Sequence, residues 1–209
     1  MTGLLNDQGF RPILESALGA ACQGRRRCAL LSIDLDGFWR VNDTWGPEAG
    51  DEVLRAVAHR LFASVRATDS VSRTNRKGDE FAVLADEIGD VEVARALAER
   101  LRRALSEPIR LRSSGRPATI EIGGSVGVVL LAGECGLTAA EVLALGAARR
   151  EDAKVNGLGV VSEGDGPDDE AIRRHNDEKG AIRSGGLAAG PRLGAEVRPS
   201  RRGVRTRRR

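Results

Sequence analysis

The stretch Cys28-Ala-Leu-Leu-Ser-Ile-Asp-Leu35 restricts the fold more than any other. It is short, almost wholly apolar and reads as a buried strand, so other elements must cover it. The covers are visible as amphipathic segments. Ile13, Leu14, Ala17, Leu18 and Ala21 fall on one face of a helix within residues 1–27, and Pro12 suits its first position. Leu54, Val57, Ala58, Leu61, Phe62 and Val65 mark one side of a second helix over 51–65. Ala94, Leu97, Ala98, Leu101 and Leu105 mark a third, stopped before Pro108, and residues 137–152 a fourth. Extended segments fall between them. Residues 70–73 and 80–85 flank a polar turn and predict a hairpin, 119–131 is β-branched and reads as one strand, and 157–162 as the last. This order predicts an α+β sandwich, with helices against a mainly antiparallel central sheet.

Only 3% of the residues are aromatic and none is tyrosine, so the core must be aliphatic. No apolar run approaches the length of a membrane helix, and the N-terminus lacks the order of a signal peptide. The odd set Cys22, Cys28 and Cys135 announces neither a disulfide framework nor a zinc knuckle. Two histidines, His59 and His175, exclude a histidine-rich metal centre. These features predict a cytoplasmic protein.

Of 33 basic and 30 acidic residues, ten and one lie in 179–209, leaving 23 and 29 before them. An acidic body therefore carries a basic tail. Beyond residue 163 no apolar face recurs, which predicts a disordered segment over 163–209. The expected division is a lead-in helix over 1–27, a domain over 28–162 and that tail.

Three acid-bearing stretches carry the chemistry. Ile33-Asp34-Leu35-Asp36-Gly37-Phe38 ends a strand in two carboxylates, hard oxygen ligands of the kind Mg²⁺ prefers. Asn42-Asp43-Thr44 and Gly50-Asp51 supply an amide and a carboxylate suited to a guanine edge, or to capping helices. Lys77-Gly78-Asp79-Glu80-Phe81 places an acidic pair beside the hairpin turn. Carboxylates delivered from two strands to one place suit the metals of an in-line phosphoryl transfer.

With Arg66-Ala-Thr-Asp69, Ser125-Val-Gly-Val128 and Ala153-Lys154 added, the text over about residues 28–162 resembles the GGDEF domain of diguanylate cyclases. The resemblance implies a palm-like fold similar to nucleotidyl cyclases. It implies two GTP-loaded domains facing each other as a homodimer, each 3′-hydroxyl attacking the other's α-phosphate to give cyclic di-GMP and pyrophosphate. Asp34 and Asp79 would bind metal, two Mg²⁺ per active site, assisted by the Leu35 carbonyl. Glu80 would help deprotonate the hydroxyl, Lys154 would neutralise phosphate, and Asn42 and Asp51 would recognise guanine. Arg66 and Asp69 match an inhibitory site for cyclic di-GMP, supported by Arg100; a surface salt bridge is the plainer reading of that pair.

The departures predict weak or lost cyclase activity. The family's Gly-Gly before the acidic pair is Lys77-Gly78, and residues 74–77 stand where about two residues are usual. The lysine after Asp-x-Asp-x-Phe is Trp39, and an arginine expected four residues after Lys154 is Leu158. The family's Ala-Asp-x-Ala-Leu-Tyr is here Gly146-Ala-Ala-Arg-Arg-Glu151. An active Mg²⁺-dependent diguanylate cyclase is the first alternative. The second, of another class, is binding of nucleic acid or another anionic polymer through Arg198, Arg201, Arg202, Arg205 and the terminal arginines. Trp39 and Trp45, which flank Asn42, suit either the mouth of a nucleotide cleft or the core.

Overall fold

A computed structural model describes residues 2–75, 78–112, 118–133, 136–163 and 165. Gly164, the tail beyond Asp165, Cys135, and Arg76 and Lys77 of the hairpin turn lie outside them, whereas Asp165, expected in the disordered segment, accepts the Ser162 N–H at 2.9 Å. In chain order the elements are α1 (Asp7–Cys22), β1 (Cys28–Asp36), α2 (Phe38–Trp45), α3 (Pro47–Ala63), β2 (Ser70–Arg73), β3 (Glu80–Ala85), α4 (Val91–Leu105), β4 (Ile109–Leu111), β5 (Ala118–Ile120), β6 (Gly123–Leu131), α5 (Ala139–Val155) and β7 (Val160–Val161).

The main sheet runs β2-β3-β1-β6-β7, antiparallel except for the parallel β6–β7 pair. The central β1 is buried over eight of its nine residues. Its side chains alternate between the two faces. Ala29, Leu31, Ile33 and Leu35 join the core beneath α2, α3 and α4. Cys28 and Leu30 join a second core beneath α1 and α5. By the same alternation Ser32, Asp34 and Asp36 belong to the α5 side. That parity decides which helix meets Asp34.

The hairpin β2–β3 occupies the expected residues. Other expectations need correction. Asn6 caps α1 by accepting the Gly9 N–H at 2.9 Å, so Pro12 lies inside the helix rather than at its start. Phe62 is 65% exposed, because α3 turns it away from the core, while Val65 falls beyond the helix. The expected single strand over 119–131 is two. β5 pairs only with β4, and the chain leaves Glu121 and Ile122 outside both strands before β6 joins β1. Gly123 and Gly124 open β6 opposite Asp36 and Leu35, where a Cβ on them would stand 2.7 Å from the Asp36 carboxylate and 2.8 Å from Leu105. Helix α2, which the apolar spacing does not announce, starts at the left-handed Gly37. Cys22 is disulfide-bonded, a pairing that sequence spacing does not announce because it depends on distance in the fold.

Candidate functional site

Strand register builds the first part of the site. Asp34 lies opposite Glu80 on β3 and opposite Ser125 on β6. Asp79 immediately precedes β3, so the hairpin delivers both its acids to the end of β1. Helix α5 crosses this edge with unusually little spacing. A Cβ on Gly127 of β6 would lie 2.3 Å from the Gly146 carbonyl oxygen and 2.4 Å from the Arg150 nitrogen. Only glycine lets helix and strand backbones approach this closely. Two α5 cations then reach the acids: Lys154 Nζ donates to Asp34 at 2.6 Å, and Arg150 donates to Glu80 Oε1 at 2.9 Å. One helical turn separates these cations, so they share a face.

The electrostatics follow from the crowding. Asp34 is only 8% exposed. The Asp79 carboxyl is pushed above its usual value by burial first and by the neighbouring Asp34 charge second. Lys154 is raised, chiefly by its hydrogen bond to Asp34, and Asp79 and Glu151 act in the same direction. Negative charge therefore collects at one sheet edge, and the lysine ammonium already answers part of it. The oxygen donors are hard, and Leu35, whose side chain is buried, has only its backbone carbonyl to offer there. This donor set fits Mg²⁺, with substrate phosphates and water completing the shell. Among the described residues no cluster of three or more His, Cys, Asp or Glu groups could hold a metal by itself.

The α2–α3 corner forms the second part. Its Gly46 is left-handed (φ 83°) and its N–H returns to the Asn42 carbonyl. Asn42 folds over Gly50, where a Cβ would stand 1.9 Å from its Oδ1. The corner thus sets the exposed Asn42 beside the residue before the exposed Asp51. Neither side chain caps a helix: glycines occupy the N-cap positions of α2 and α3, and Asp51 lies a turn inside α3.

Arg66, Asp69 and Arg100 gather elsewhere. Asp69 accepts the Arg66 backbone N–H at 2.8 Å and the Asp86 N–H at 2.9 Å, bracing the loop before β2 against the far end of β3. Its tie to Arg66 therefore runs through the backbone, not through the salt bridge that the plainer reading expected. Arg100 donates to the Ser64 carbonyl at 3.0 Å, beside that loop. Along β3 this group lies roughly 20 Å from Glu80.

The family model for the diguanylate cyclase GGDEF domain matches residues 1–157. The chain belongs to the GGDEF family. Relatives of this GGDEF domain include the bifunctional diguanylate cyclase/cyclic di-GMP phosphodiesterase MucR of Pseudomonas aeruginosa, 37% identical over 64% of the chain and 18% of MucR. The response regulator PleD of Caulobacter vibrioides is 38% identical over 64% of the chain and 29% of PleD. The chain thus spans less than a third of either relative. Among solved structures, the GGDEF domain of YfiN (TpbB) from P. aeruginosa is 32% identical with a TM-score of 0.68, covering 75% of the chain and 93% of that domain. The GGDEF domain of DgcB from Caulobacter crescentus, in complex with c-di-GMP, is 28% identical with a TM-score of 0.67, covering 77% and 89%.

Sequence reasoning missed one residue of this GGDEF domain's acid edge. Arg150 sits in the charged run Arg149-Arg150-Glu151-Asp152, which looks solvated, yet its side chain is only 13% exposed. The usable signal was its spacing, four residues before Lys154. Its neighbour Arg149 serves packing, being buried and donating to the Val128 carbonyl at 2.6 Å. Trp39 is not a core residue: it is 65% exposed, with the Arg40 guanidinium 5.3 Å over its ring, whereas Trp45 packs against the core. At Gly78, a Cβ would meet the Asn75 side chain at 2.9 Å.

Proposed function

We propose that this chain binds Mg-GTP between the β1–β3 acid edge and the α2–α3 corner, and works in cyclic di-GMP signalling with weak or lost diguanylate cyclase activity. Asp34, Asp79 and the Leu35 carbonyl would hold the metal, Lys154 would meet the phosphates, and Asn42 and Asp51 would read guanine. A bound Mg²⁺ supplies charge neutralisation for the phosphates and acidifies the attacking hydroxyl. The observation carrying this reading is the convergence of Asp34, Asp79 and Lys154, from three separate elements, within electrostatic reach of one another. A cytoplasmic setting, where GTP is available, goes with this reading; among the described residues no helix is long and apolar enough to cross a membrane.

Weakness follows from the missing cations. Trp39 and Leu158 stand exposed where the family pattern has phosphate-facing lysine and arginine. Each such loss costs roughly 1.5–3 kcal/mol of binding, or one to two decades. Turnover would also require a second copy of the chain facing the first. Arg66, Asp69 and Arg100 support a separate reading of the second site, as a receptor for cyclic di-GMP. The observation favouring it is the convergence of these three residues on one loop.

The experiment has two arms. Concentrated protein incubated with GTP and Mg²⁺ is expected to yield cyclic di-GMP slowly or not at all by chromatography; rapid turnover would establish the active-cyclase alternative instead. Calorimetric titration with cyclic di-GMP is expected to give heat that Arg66→Ala abolishes. Equal heat in both proteins contradicts the receptor reading. Arg66 is the better probe there because removing Asp69 also unpins the loop.

A further inference from the structure

We infer that Arg150 is a positioning residue that competes with divalent metal for the Glu80 carboxylate and keeps the acid edge closed until metal arrives. The inference rests on the divalent-cation reading of that edge. Arg150 replaces an uncharged residue: aligned on Ala153-Lys154, the family pattern has leucine at this position. Its guanidinium lies 2.9 Å from Glu80 Oε1, with the side chain 13% exposed and Glu80 34% exposed. The tight α5–β6 contact at Gly127 fixes the helix backbone at Arg150 itself, so the guanidinium leaves Glu80 only by a side-chain rotation.

Glu80 stands directly opposite Asp34, whose own oxygen is held by Lys154 at 2.6 Å. Two adjacent acids of the edge are thus each paired with an internal cation on one helix face. The lysine side chain is 41% exposed and can swing into water. The arginine is the firmer partner, being more enclosed and charge-matched to a carboxylate. A metal ion drawing on Glu80 Oε1 must displace it, and one that takes Oε2 alone meets a carboxylate whose charge the arginine already shares.

The test is Mn²⁺ binding to the full chain without nucleotide, read from loss of the free-ion electron paramagnetic resonance signal. Arg150→Leu is expected to raise Mn²⁺ affinity about ten-fold, and Arg150→Lys to stay nearer the parent protein. Arg150→Met, which follows the arginine stem, replaces the leucine variant if the latter fails to fold. In a Glu80→Gln background the same Arg150 substitution is expected to change affinity less than two-fold. That loss of coupling separates competition at Glu80 from mere removal of positive charge. Unchanged affinity in Arg150→Leu, or an equal gain in both backgrounds, overturns the inference. Absence of Mn²⁺ uptake by every variant overturns the divalent-site reading itself, and the inference with it.

Discussion

Replacing Gly127 by alanine is expected to cost about 3 kcal/mol of folding stability, the upper end of ordinary overpacking. The added methyl would lie 2.3 Å from one α5 backbone atom and 2.4 Å from another. No rotamer change relieves a clash with backbone, so α5 must move away from β6. That movement withdraws Lys154 and Arg150 from Asp34 and Glu80, and GTP binding is expected to fall together with stability. Gly146→Ala is the internal control. Its Cβ would stand 3.2 Å from the Ser32 Cβ and 3.3 Å from Leu30 Cδ2, a crowding of a few tenths of an ångström rather than a full backbone clash. The helix-propensity gain of about 1 kcal/mol then largely offsets the crowding. Urea denaturation of the two variants measures the difference; matching midpoints would contradict the backbone-on-backbone packing.

Asp34→Asn is expected to lower Mg-GTP affinity by about 100-fold while shifting folding stability by less than about 1 kcal/mol. The two effects separate because Asp34 faces a lysine whose side chain is 41% exposed and returns to water at little cost. The pH dependence should change as well. Asp79 has a raised folded-state value, caused by burial and then by Asp34, so the native state keeps its proton when the unfolded chain has lost it. Asp79 therefore makes stability decline as pH rises from the usual carboxylate value through the raised one. The Asp34→Asn substitution removes the second cause and leaves the first, so that decline should shrink without vanishing. Denaturation midpoints across the acidic range check this, and an identical slope would mean that the two carboxylates do not interact.

Much of this architecture was legible because it depends on local chemistry. The hairpin was bounded by its polar turn, and the strand at Cys28 by an apolar run ending in acids. Legibility failed where tertiary contact overrode pattern. Phe62 continued an apolar stripe that the fold leaves in water. The strand expected over 119–131 divides at Glu121 and Ile122, where pairing passes from β4 to β1, which propensity does not register. Pro12 suggested a helix start, but the Asn6 side chain set it earlier. At the site, the acidic residues could be named from their text. Arg150 could not, since its salt bridge depends on an α5–β6 approach that Gly127, on another element, allows.

The central claim is that the acid edge and the α2–α3 corner grip a single nucleotide. Calorimetric titration of the protein with GTP and ATP, each with and without Mg²⁺, tests it most directly. The expected result is GTP binding at least about ten-fold tighter than ATP binding, with GTP affinity falling by a similar factor when Mg²⁺ is withheld. Equal affinity for the two nucleotides together with indifference to Mg²⁺, or no binding of GTP at all, would contradict it.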